Sequence, residues 1–567
     1  MSWLPEGFDP EVHLSWSHYA PEAEALLAAE VNTENVVAWL DRWSEFSNQI
    51  DELSTRLSIA TSVDTTDENA NAYFQTFLDE LEPEAKRTDQ KLKEKFLATG
   101  LTPPGFEIPV RNLRSEASLF RETNVPLESE EAKLTLKYDE VIAAQTVHWE
   151  GNEITLARLE QEYKSPDRER RERAWHTAME RRARDRGTLN ELWVQFLDLR
   201  DRIAANAGYP SFLHYQWEVL QRFDYTPDDC KRFHDSIEEV VVPAAKRIQK
   251  ERARRLGLET LRPWDLAVDP EGRGPLKPFQ TGAELENTAN AIFDQVDPAL
   301  GEQYRMMQRT KVLDLENRKG KAPGGYCTYL AVQKLPFIFM NAVGSAGDVM
   351  TLLHEAGHAF HAFEASTQGN GLKMHVNTEF CEVASMSMEL LAHPYLEKNK
   401  GGYYSEEDAI RARRDHLEKI VLFWPYMAVV DAFQHWVYAH PADARDATAC
   451  DQVWSDLWDR FMSWEDWTGL EFHKSAGWHR KLHIYQVPLY YVEYGIAQLG
   501  AIQVWRNSLR NQGDAVAQYR RGLALAGTAT LPELFAAAGA EFKFDAETIR
   551  SAVELIEEKH AGYLALA

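Results

Sequence analysis

Two histidines and a glutamate in the middle of the chain have the spacing of a metal site. His354, Glu355 and His358 form a His-Glu-x-x-His pentapeptide. On a helix, residues four apart lie on one face, so both imidazoles can bind a single zinc ion. The glutamate then lies beside the open coordination position, where it can act as a general base. Chance placement gives only about 0.05 such pentapeptides in a chain of this composition, so the pattern predicts metal-assisted hydrolysis.

The residues before the pentapeptide predict the elements that position it. Residues 335–340 are a short apolar run with a proline at its start, typical of a strand. A turn follows over 341–347, and Ser345 with Asp348 matches a capping box in which Asp replaces the usual Glu or Gln. The metal-binding helix should then run from about Ala346 to Ala365. The edge of a strand beside it could pair with an extended peptide.

A catalytic zinc ion needs a third protein ligand, and the sequence offers alternatives. His361 lies on nearly the same face as His354, but three ligands on one straight helix cannot surround a metal tetrahedrally. The longer motif His-Glu-x-x-His-x-x-Gly-x-x-His also fails, because His361 occupies the glycine position and Glu364 the last histidine. A helical segment at 378–391 offers three carboxylates: Glu379, Glu382 and Glu389. Spacing leaves the first two equally suitable.

A segment near the carboxyl terminus could supply hydrogen-bond donors. Its histidine and tyrosines are His483, Tyr485, Tyr490, Tyr491 and Tyr494. Phenol and imidazole donors stabilise the negative oxygen that forms when a peptide carbonyl is attacked. Pro488 fits the first turn of a helix, which places Tyr491 and Tyr494 on one face and leaves His483 and Tyr485 on the preceding loop. Spacing does not choose among these tyrosines, and Tyr490 is expected in the core.

These motifs together resemble the oligoendopeptidase F branch of the thimet-oligopeptidase family of zinc peptidases. The resemblance rests on His-Glu-Ala-Gly-His-Ala-Phe-His at 354–361 and Glu-Val-Ala-Ser-Met-Ser-Met-Glu at 382–389. Three further regions are similar to the family: 147–156, 318–341 and 483–494. The similarity extends from about residue 147 to about residue 500, and its metal motifs are the specific part.

The resemblance implies a zinc-dependent endopeptidase that cleaves short unfolded oligopeptides. Glu382 becomes the third ligand of one zinc ion, and Glu379 a neighbour. The implied catalytic residues are Glu355, His483, Tyr494 and Tyr491, and the implied substrate contacts are Gly325, Tyr326 and Tyr485. Two alternatives are a helical zinc carboxypeptidase or dipeptidyl carboxypeptidase, which needs a basic residue for the substrate's terminal carboxylate, and a catalytically silent peptide-binding protein.

Composition and periodicity predict a mostly α protein with a small β-sheet beside the metal-binding helix. The chain has 567 residues, enough for a large core. Amphipathic helical stretches cover 35–59, 167–208, 228–257 and 405–440. By resemblance, two helical lobes enclose a deep substrate channel. We expect a helical region with a hairpin near its end at 1–164 and a catalytic region at 165–567, or one continuous fold.

Charge and cysteine usage exclude several partners. The net charge of −27 argues against nucleic-acid binding, which needs clustered Lys and Arg. The amino terminus lacks a basic region followed by an apolar run, so no signal peptide is expected, and no apolar run is long enough to span a membrane. The four cysteines are scattered and predict neither a zinc knuckle nor a disulfide framework. A cytoplasmic protein follows, with its oligomeric state left open.

Overall fold

The computed structural model describes residues 3–566, which are mostly α-helical, as predicted. The first eight helices are α1 Pro10–His13, α2 Trp16–Ala28, α3 Val36–Val63, α4 Glu68–Thr76, α5 Glu82–Ala98, α6 Glu107–Leu119, α7 Val125–Ala143 and α8 Leu156–Leu159. The next seven are α9 Arg168–Arg184, α10 Arg186–Ala207, α11 Phe212–Val219, α12 Pro227–Ser236, α13 Val242–Leu256, α14 Gly282–Val296 and α15 Pro298–Thr310. The last ten are α16 Ala346–Ala365, α17 Thr378–Leu391, α18 Glu406–Ala439, α19 Ala447–Phe461, α20 Glu471–Ser475, α21 Leu482–Gln486, α22 Val492–Ser508, α23 Gln512–Leu525, α24 Leu531–Ala537 and α25 Ala546–Leu566.

Two small sheets interrupt the helices. Strands β1 Thr146–Trp149 and β2 Asn152–Thr155 form the predicted antiparallel hairpin. Strands β3 Leu313–Glu316, β4 Tyr326–Leu330 and β5 Leu335–Ala342 form a second sheet in the order β3-β5-β4. The predicted apolar strand is β5, but it lies in the centre and pairs on both sides. A peptide could therefore add only to an outer strand of this sheet, not to the strand itself.

Helix α16 has the predicted bounds because its first turn is capped from both sides. The Ser345 side chain accepts a hydrogen bond from the backbone N–H of Asp348, at 3.3 Å. In return the Asp348 carboxylate accepts one from the backbone N–H of Ser345, at 2.7 Å. A capping box of this kind satisfies donors that the helix itself leaves free. The strand, turn and helix therefore follow local sequence signals.

The described chain has two large hydrophobic cores and two much smaller clusters. The smaller core joins side chains of the first helices, from Leu14 to Leu113. The larger one contains β5, α16, α17, α18 and α22. A cavity of about 560 Å³ has walls from both parts of the chain, including Ile50 and Tyr329. This agrees with two helical lobes, whereas the boundary at residue 164 stays a prediction. Within residues 3–566, no helix is both long and apolar enough to cross a membrane.

Candidate metal centre and catalytic site

The structure brings His354, His358 and Glu382 together. One donor atom from each lies within 4.8 Å of the others. The Glu382 carboxylate lies 3.3 Å from Nε2 of His354 and 3.8 Å from Nε2 of His358. Two ligands of a tetrahedral zinc ion are about 3.4 Å apart, given bonds of about 2.0–2.1 Å. Two imidazoles and one carboxylate at these separations therefore fit zinc and leave a fourth position open.

Gly357 allows α17 to approach α16 closely enough for this arrangement. A Cβ atom at Gly357 would lie 2.6 Å from Cα of Ser385 and 2.7 Å from the carbonyl oxygen of Ala384. Any larger residue would force the helices apart and move Glu382 away from the histidines. The glycine lies inside the pentapeptide, and a glycine in the middle of a helix is the signal that could have indicated this close contact.

Glu379 lies one turn earlier on α17 and faces another environment. Its carboxylate accepts a hydrogen bond from the Tyr225 hydroxyl at 2.5 Å and lies 3.7 Å from the Arg222 guanidinium. Glu382 instead accepts a hydrogen bond from Ser385 at 3.0 Å. Burial alone would raise the pKa of Glu382, but its interactions with both histidines keep that pKa below its usual value. Of the two alternatives left by spacing, only Glu382 joins the metal group.

A chain of hydrogen bonds orients the His354 ring through its Nδ1 atom, on the side away from the metal group. Its Nδ1 lies 2.7 Å from Glu389 Oε1, so its Nε2 is directed toward the metal group. The other oxygen of Glu389 lies 2.9 Å from Nε2 of His416, and Nδ1 of His416 lies 2.8 Å from Nε2 of His393. A carboxylate behind a metal-binding histidine fixes the tautomer and the ring orientation. The sequence analysis noted Glu389 only for its helical spacing and did not find this role.

The two remaining histidines of α16 are both neutral, but only one belongs to the metal group. Burial lowers the pKa of His358 to about 4, so its imidazole is unprotonated at neutral pH, as metal binding requires. Burial also lowers the pKa of His361, to about 3. The His361 ring packs edge-on against Phe380, 5.9 Å between centroids. It is therefore a core residue outside the metal group, which agrees with the argument that three ligands on one straight helix cannot surround the metal.

Glu355 is the carboxyl group best suited to transfer a proton. It lies on the same helix as the histidines and is 8% exposed. Burial is the main cause that raises its pKa to about 7, against the opposing effect of His354. Its charge also acts on Cys327 of β4, so the sheet passes beside it. A general base works best with a pKa near the working pH.

The C-terminal segment differs from its predicted form in two ways. His483 and Tyr485 lie on the short helix α21, not on a loop, and α22 begins at Val492, four residues after Pro488. The residues between them form a turn in which Leu489 has φ +65°. Arg222 donates to the carbonyl oxygen of Leu489 at 2.7 Å. This tertiary contact overrides the helix signal of the proline and stabilises a backbone conformation that is costly for a residue with a side chain.

The turn brings His483 and three tyrosines together. The His483 ring lies 4.9 Å from that of Tyr491 and 6.1 Å from that of Tyr494. Burial, with the Glu382 charge second, raises the pKa of Tyr494 to about 12, so this phenol lies near the metal group. The Glu382 charge is also among the causes that raise the pKa of Tyr490. Tyr490 is half-buried beside Tyr494, with 5.3 Å between ring centroids, and the expectation of a core residue is wrong.

Tyr485 does not reach this group. It is fully buried and stacks on Tyr138, 4.6 Å between ring centroids. Trp193 and Trp478 pack around the same ring. A side chain enclosed in this way cannot touch a substrate, so Tyr485 is a core residue and not the substrate contact or oxyanion donor that the sequence left open.

Gly325 and Tyr326 lie at the start of β4, next to the metal-binding helix. Gly325 is exposed, and a Cβ atom there would lie 3.4 Å from Thr351 of α16. The Tyr326 ring stacks on Phe339, 4.9 Å between centroids. Since strand residues alternate between faces, Tyr326 lies on the opposite face of β4 from Cys327, the residue beside Glu355. Gly325 is thus exposed beside α16, and its contact with substrate stays a prediction, whereas Tyr326 packs against the sheet.

A cavity of about 700 Å³ adjoins the metal group. Its walls include Glu389, His483, Tyr491 and Tyr494. Lys481 also lines it, with its ammonium 4.3 Å from the centre of the Tyr491 ring. A second cavity of about 450 Å³ shares Tyr426 with the first. The larger of these cavities is of a size that accepts several residues of an extended peptide.

Comparisons with known proteins agree with this arrangement. Residues 162–554 match the model of peptidase family M3, and residues 13–102 match the peptidase M3 N-terminal domain. The chain therefore belongs to peptidase family M3, which confirms the resemblance drawn from the motifs.

Individual relatives show how far the similarity extends. Oligopeptidase PepF of Bacillus subtilis strain 168 is 24% identical over 273 residues, which are 46% of this chain and 38% of that protein. The solved structure of PZ peptidase A with an inhibitor has 29% identity and a TM-score of 0.85, with 96% of each chain covered. A solved oligoendopeptidase F has 28% identity, a TM-score of 0.85 and the same coverage. The whole described fold is thus that of these peptidases.

Proposed function

We propose that this protein is a zinc-dependent endopeptidase that hydrolyses internal bonds of short, unfolded oligopeptides. One observation carries the proposal. A buried carboxyl group, Glu355, lies on the same helix as two members of a group that fits zinc, and hydrogen-bond donors from a distant segment line the adjoining cavity. Membership of peptidase family M3 supports peptide as the substrate.

His354, His358 and Glu382 would hold one zinc ion. When bound, zinc supplies a Lewis acid that activates water and polarises a carbonyl group. Glu355 accepts the proton of the attacking water and passes it to the leaving nitrogen. Burial lowers the pKa of His483 to about 4, so its imidazole is neutral near pH 7. With Tyr494 it donates hydrogen bonds to the carbonyl oxygen as that oxygen becomes negative.

The shape of the site supports short, extended substrates. The 700 Å³ cavity is bounded by helices α16, α17, α18 and α22, so a folded protein could not bring a bond to Glu355. An extended chain exposes its backbone and needs no unfolding before it enters. Cytoplasmic location stays a prediction, and so do the zinc ion and the absence of a nucleic-acid partner.

The position of Lys481 favours a dipeptidyl carboxypeptidase as the second candidate function. Among the described residues Lys481 forms no ion pair with a carboxylate, although it lines the cavity of the catalytic groups. Such a cation could hold the terminal carboxylate of a substrate. Internally quenched peptides with free and amidated carboxyl termini separate the two functions. An endopeptidase cleaves both at the same internal bonds, whereas a dipeptidyl carboxypeptidase releases dipeptides only from the free form.

The substitution Glu355→Gln tests the proposal. It keeps the shape of the side chain but removes the proton acceptor, so kcat should fall by roughly 10² to 10⁴ while zinc content stays unchanged. Glu364→Gln is a matched control, because Glu364 is also 8% exposed on α16 but bonds to Arg520 at 2.9 Å. Near-normal turnover by zinc-loaded Glu355→Gln enzyme would refute the mechanism. Absence of cleavage by the unmodified zinc-loaded chain would refute the function.

A further inference from the structure

A second cluster of metal-ligating side chains lies in the larger core. Cys230 is on α12, and Asp431 and His435 are one turn apart on α18. One donor atom from each lies within 4.8 Å of the others. Their exposed fractions are 1%, 0% and 6%. None of them belongs to the catalytic site described above.

Several donor atoms of this cluster have no hydrogen-bond partner within the described part of the chain. Both ring nitrogens of His435 and Oδ1 of Asp431 are buried and unsatisfied. Buried polar atoms are nearly always paired, and each one left unpaired costs about 1–3 kcal/mol. Nε2 of His435 lies 3.4 Å from Oδ2 of Asp431 without hydrogen-bond geometry. That separation is about the distance between two ligands of one tetrahedral zinc ion.

The charge of the cluster matches a divalent cation. A thiolate and a carboxylate carry two negative charges, and a neutral imidazole adds none, so a divalent ion makes the buried group electroneutral. Metal binding would displace the proton of the Cys230 thiol. The nearby Arg222 is already balanced, because it lies 2.6 Å from Glu493 and 3.7 Å from Glu379.

His234 completes the surroundings of the cluster. It lies one turn after Cys230 on α12, and its Nε2 is 2.8 Å from Oδ2 of Asp431. This contact orients the Asp431 carboxyl group in the way that outer residues orient metal ligands.

We propose that Cys230, Asp431 and His435 form a second, structural zinc site. Thiolate, imidazole and carboxylate together favour zinc among the common divalent metals. Complete burial excludes substrate, so the site acts on the fold and not on the reaction. A water molecule would occupy the fourth tetrahedral position, because Nε2 of His234 is bonded to Asp431.

The site would fix α12 to α18 underneath the catalytic tyrosines. Gln434, between the two ligands on α18, accepts a hydrogen bond from the backbone N–H of Leu489 at 2.7 Å. Arg222, just before α12, donates to the carbonyl oxygen of the same residue. Both contacts hold the turn that carries Tyr490 and leads into α22, the helix of Tyr494. A metal bridge between the helices would therefore stabilise the base of that turn.

Metal analysis of the full-length protein tests the proposal. Zinc-loaded protein should contain two equivalents per chain. Cobalt-substituted protein should show a sulfur-to-cobalt charge-transfer absorption in the near ultraviolet, which the ligands His354, His358 and Glu382 cannot produce. Cys230→Ala should reduce zinc to one equivalent and abolish this absorption. Cys450→Ala is the matched control, since Cys450 is equally buried but its thiol donates to the carbonyl oxygen of Ala444 at 3.2 Å and lies outside the cluster.

The outcome is separate from that of the proposed function. A variant with both His354→Ala and His358→Ala should keep one equivalent of zinc and the charge-transfer absorption. If Cys230→Ala fails to fold, His435→Gln takes its place, with the same loss of one equivalent expected. A single equivalent in the unmodified protein without the charge-transfer absorption would overturn the inference. Persistence of that absorption in Cys230→Ala would overturn it too.

Discussion

The hydrogen bond that His354 donates to Glu389 gives a graded prediction for metal affinity. Glu389 is an ionised carboxylate: its contacts with His354 and His416 lower its pKa to about 2, although burial alone would raise it. In Glu389→Gln, the amide oxygen still accepts from Nδ1 of His354, but the bond is no longer charge-assisted. A hydrogen bond to a charged group contributes about 1.5–3 kcal/mol and a neutral one about 0.5–1.5 kcal/mol. The difference of about 1–1.5 kcal/mol is close to a tenfold loss of zinc affinity.

Glu389→Ala should have a larger effect, because it also leaves the orientation of the His354 ring unsupported. Loss of such an outer partner typically lowers metal affinity by about 10–100-fold, and the alanine variant should lie near the upper limit. The assay measures peptide cleavage while a chelator sets the free zinc concentration. The zinc concentration for half-maximal activity should rise about tenfold for Gln and about a hundredfold for Ala.

Glu379→Gln is the control for this series. Glu379 is also a buried glutamate on α17, but it bonds to Tyr225 and not to a histidine. Its zinc requirement should match that of the unmodified protein. An unchanged zinc requirement for Glu389→Gln, or an equal shift for Glu379→Gln, would show that the Glu389–His354 contact does not control the metal site.

Three further predictions follow from other contacts. His483→Ala and Tyr494→Phe should each lower kcat by about 10²–10³ with little change in KM. Tyr485→Phe should have no effect in the same steady-state assay. Full activity of the first two variants would show that His483 and Tyr494 do not stabilise the oxyanion. Glu382→Ala should lose zinc under mild chelation, as measured by metal analysis, and zinc retention equal to that of the unmodified protein would exclude it as a ligand. Burial raises the pKa of Glu465 to about 7 from 4.5. The protonated carboxyl group therefore contributes to the stability of the folded protein fully below about pH 4.5. This contribution is lost as the pH rises through 7. Glu465→Gln should therefore raise the unfolding temperature at pH 8, by a free energy of at most about 3 kcal/mol, but not at pH 4, and a pH-independent difference would contradict this.

Local sequence signals determined the elements that carry the metal group. The capping residues Ser345 and Asp348 fix the start of α16, and the pentapeptide itself places two imidazoles on one face. The apolar residues of β5 indicated the neighbouring strand. These signals can be interpreted without the fold because each acts within about one or two turns of the chain. They were sufficient for the family, the mostly α class and the two histidine positions.

Contacts between distant segments decided the rest of the site. Glu379 and Glu382 have the same local character, and only the close packing of α17 at Gly357 selects between them. The sequence predicted a helix at Pro488, but Arg222, more than 250 residues away, holds Leu489 in a left-handed conformation that ends it. That turn brings Tyr490 to the site and leaves Tyr485 in the core.

The cluster of Cys230, Asp431 and His435 shows most clearly that sequence spacing alone does not reveal such a site. No Cys-x-x-Cys pattern marks Cys230, and its neighbours Asp431 and His435 lie about 200 residues further along the chain. Sequence spacing reveals a metal site only when its ligands share one helix or loop, as His354 and His358 do. Where two helices meet, the ligand set is fixed by which faces are buried against each other. That is a property of the whole packed core, because the free energy that selects the packing is spread over many side chains.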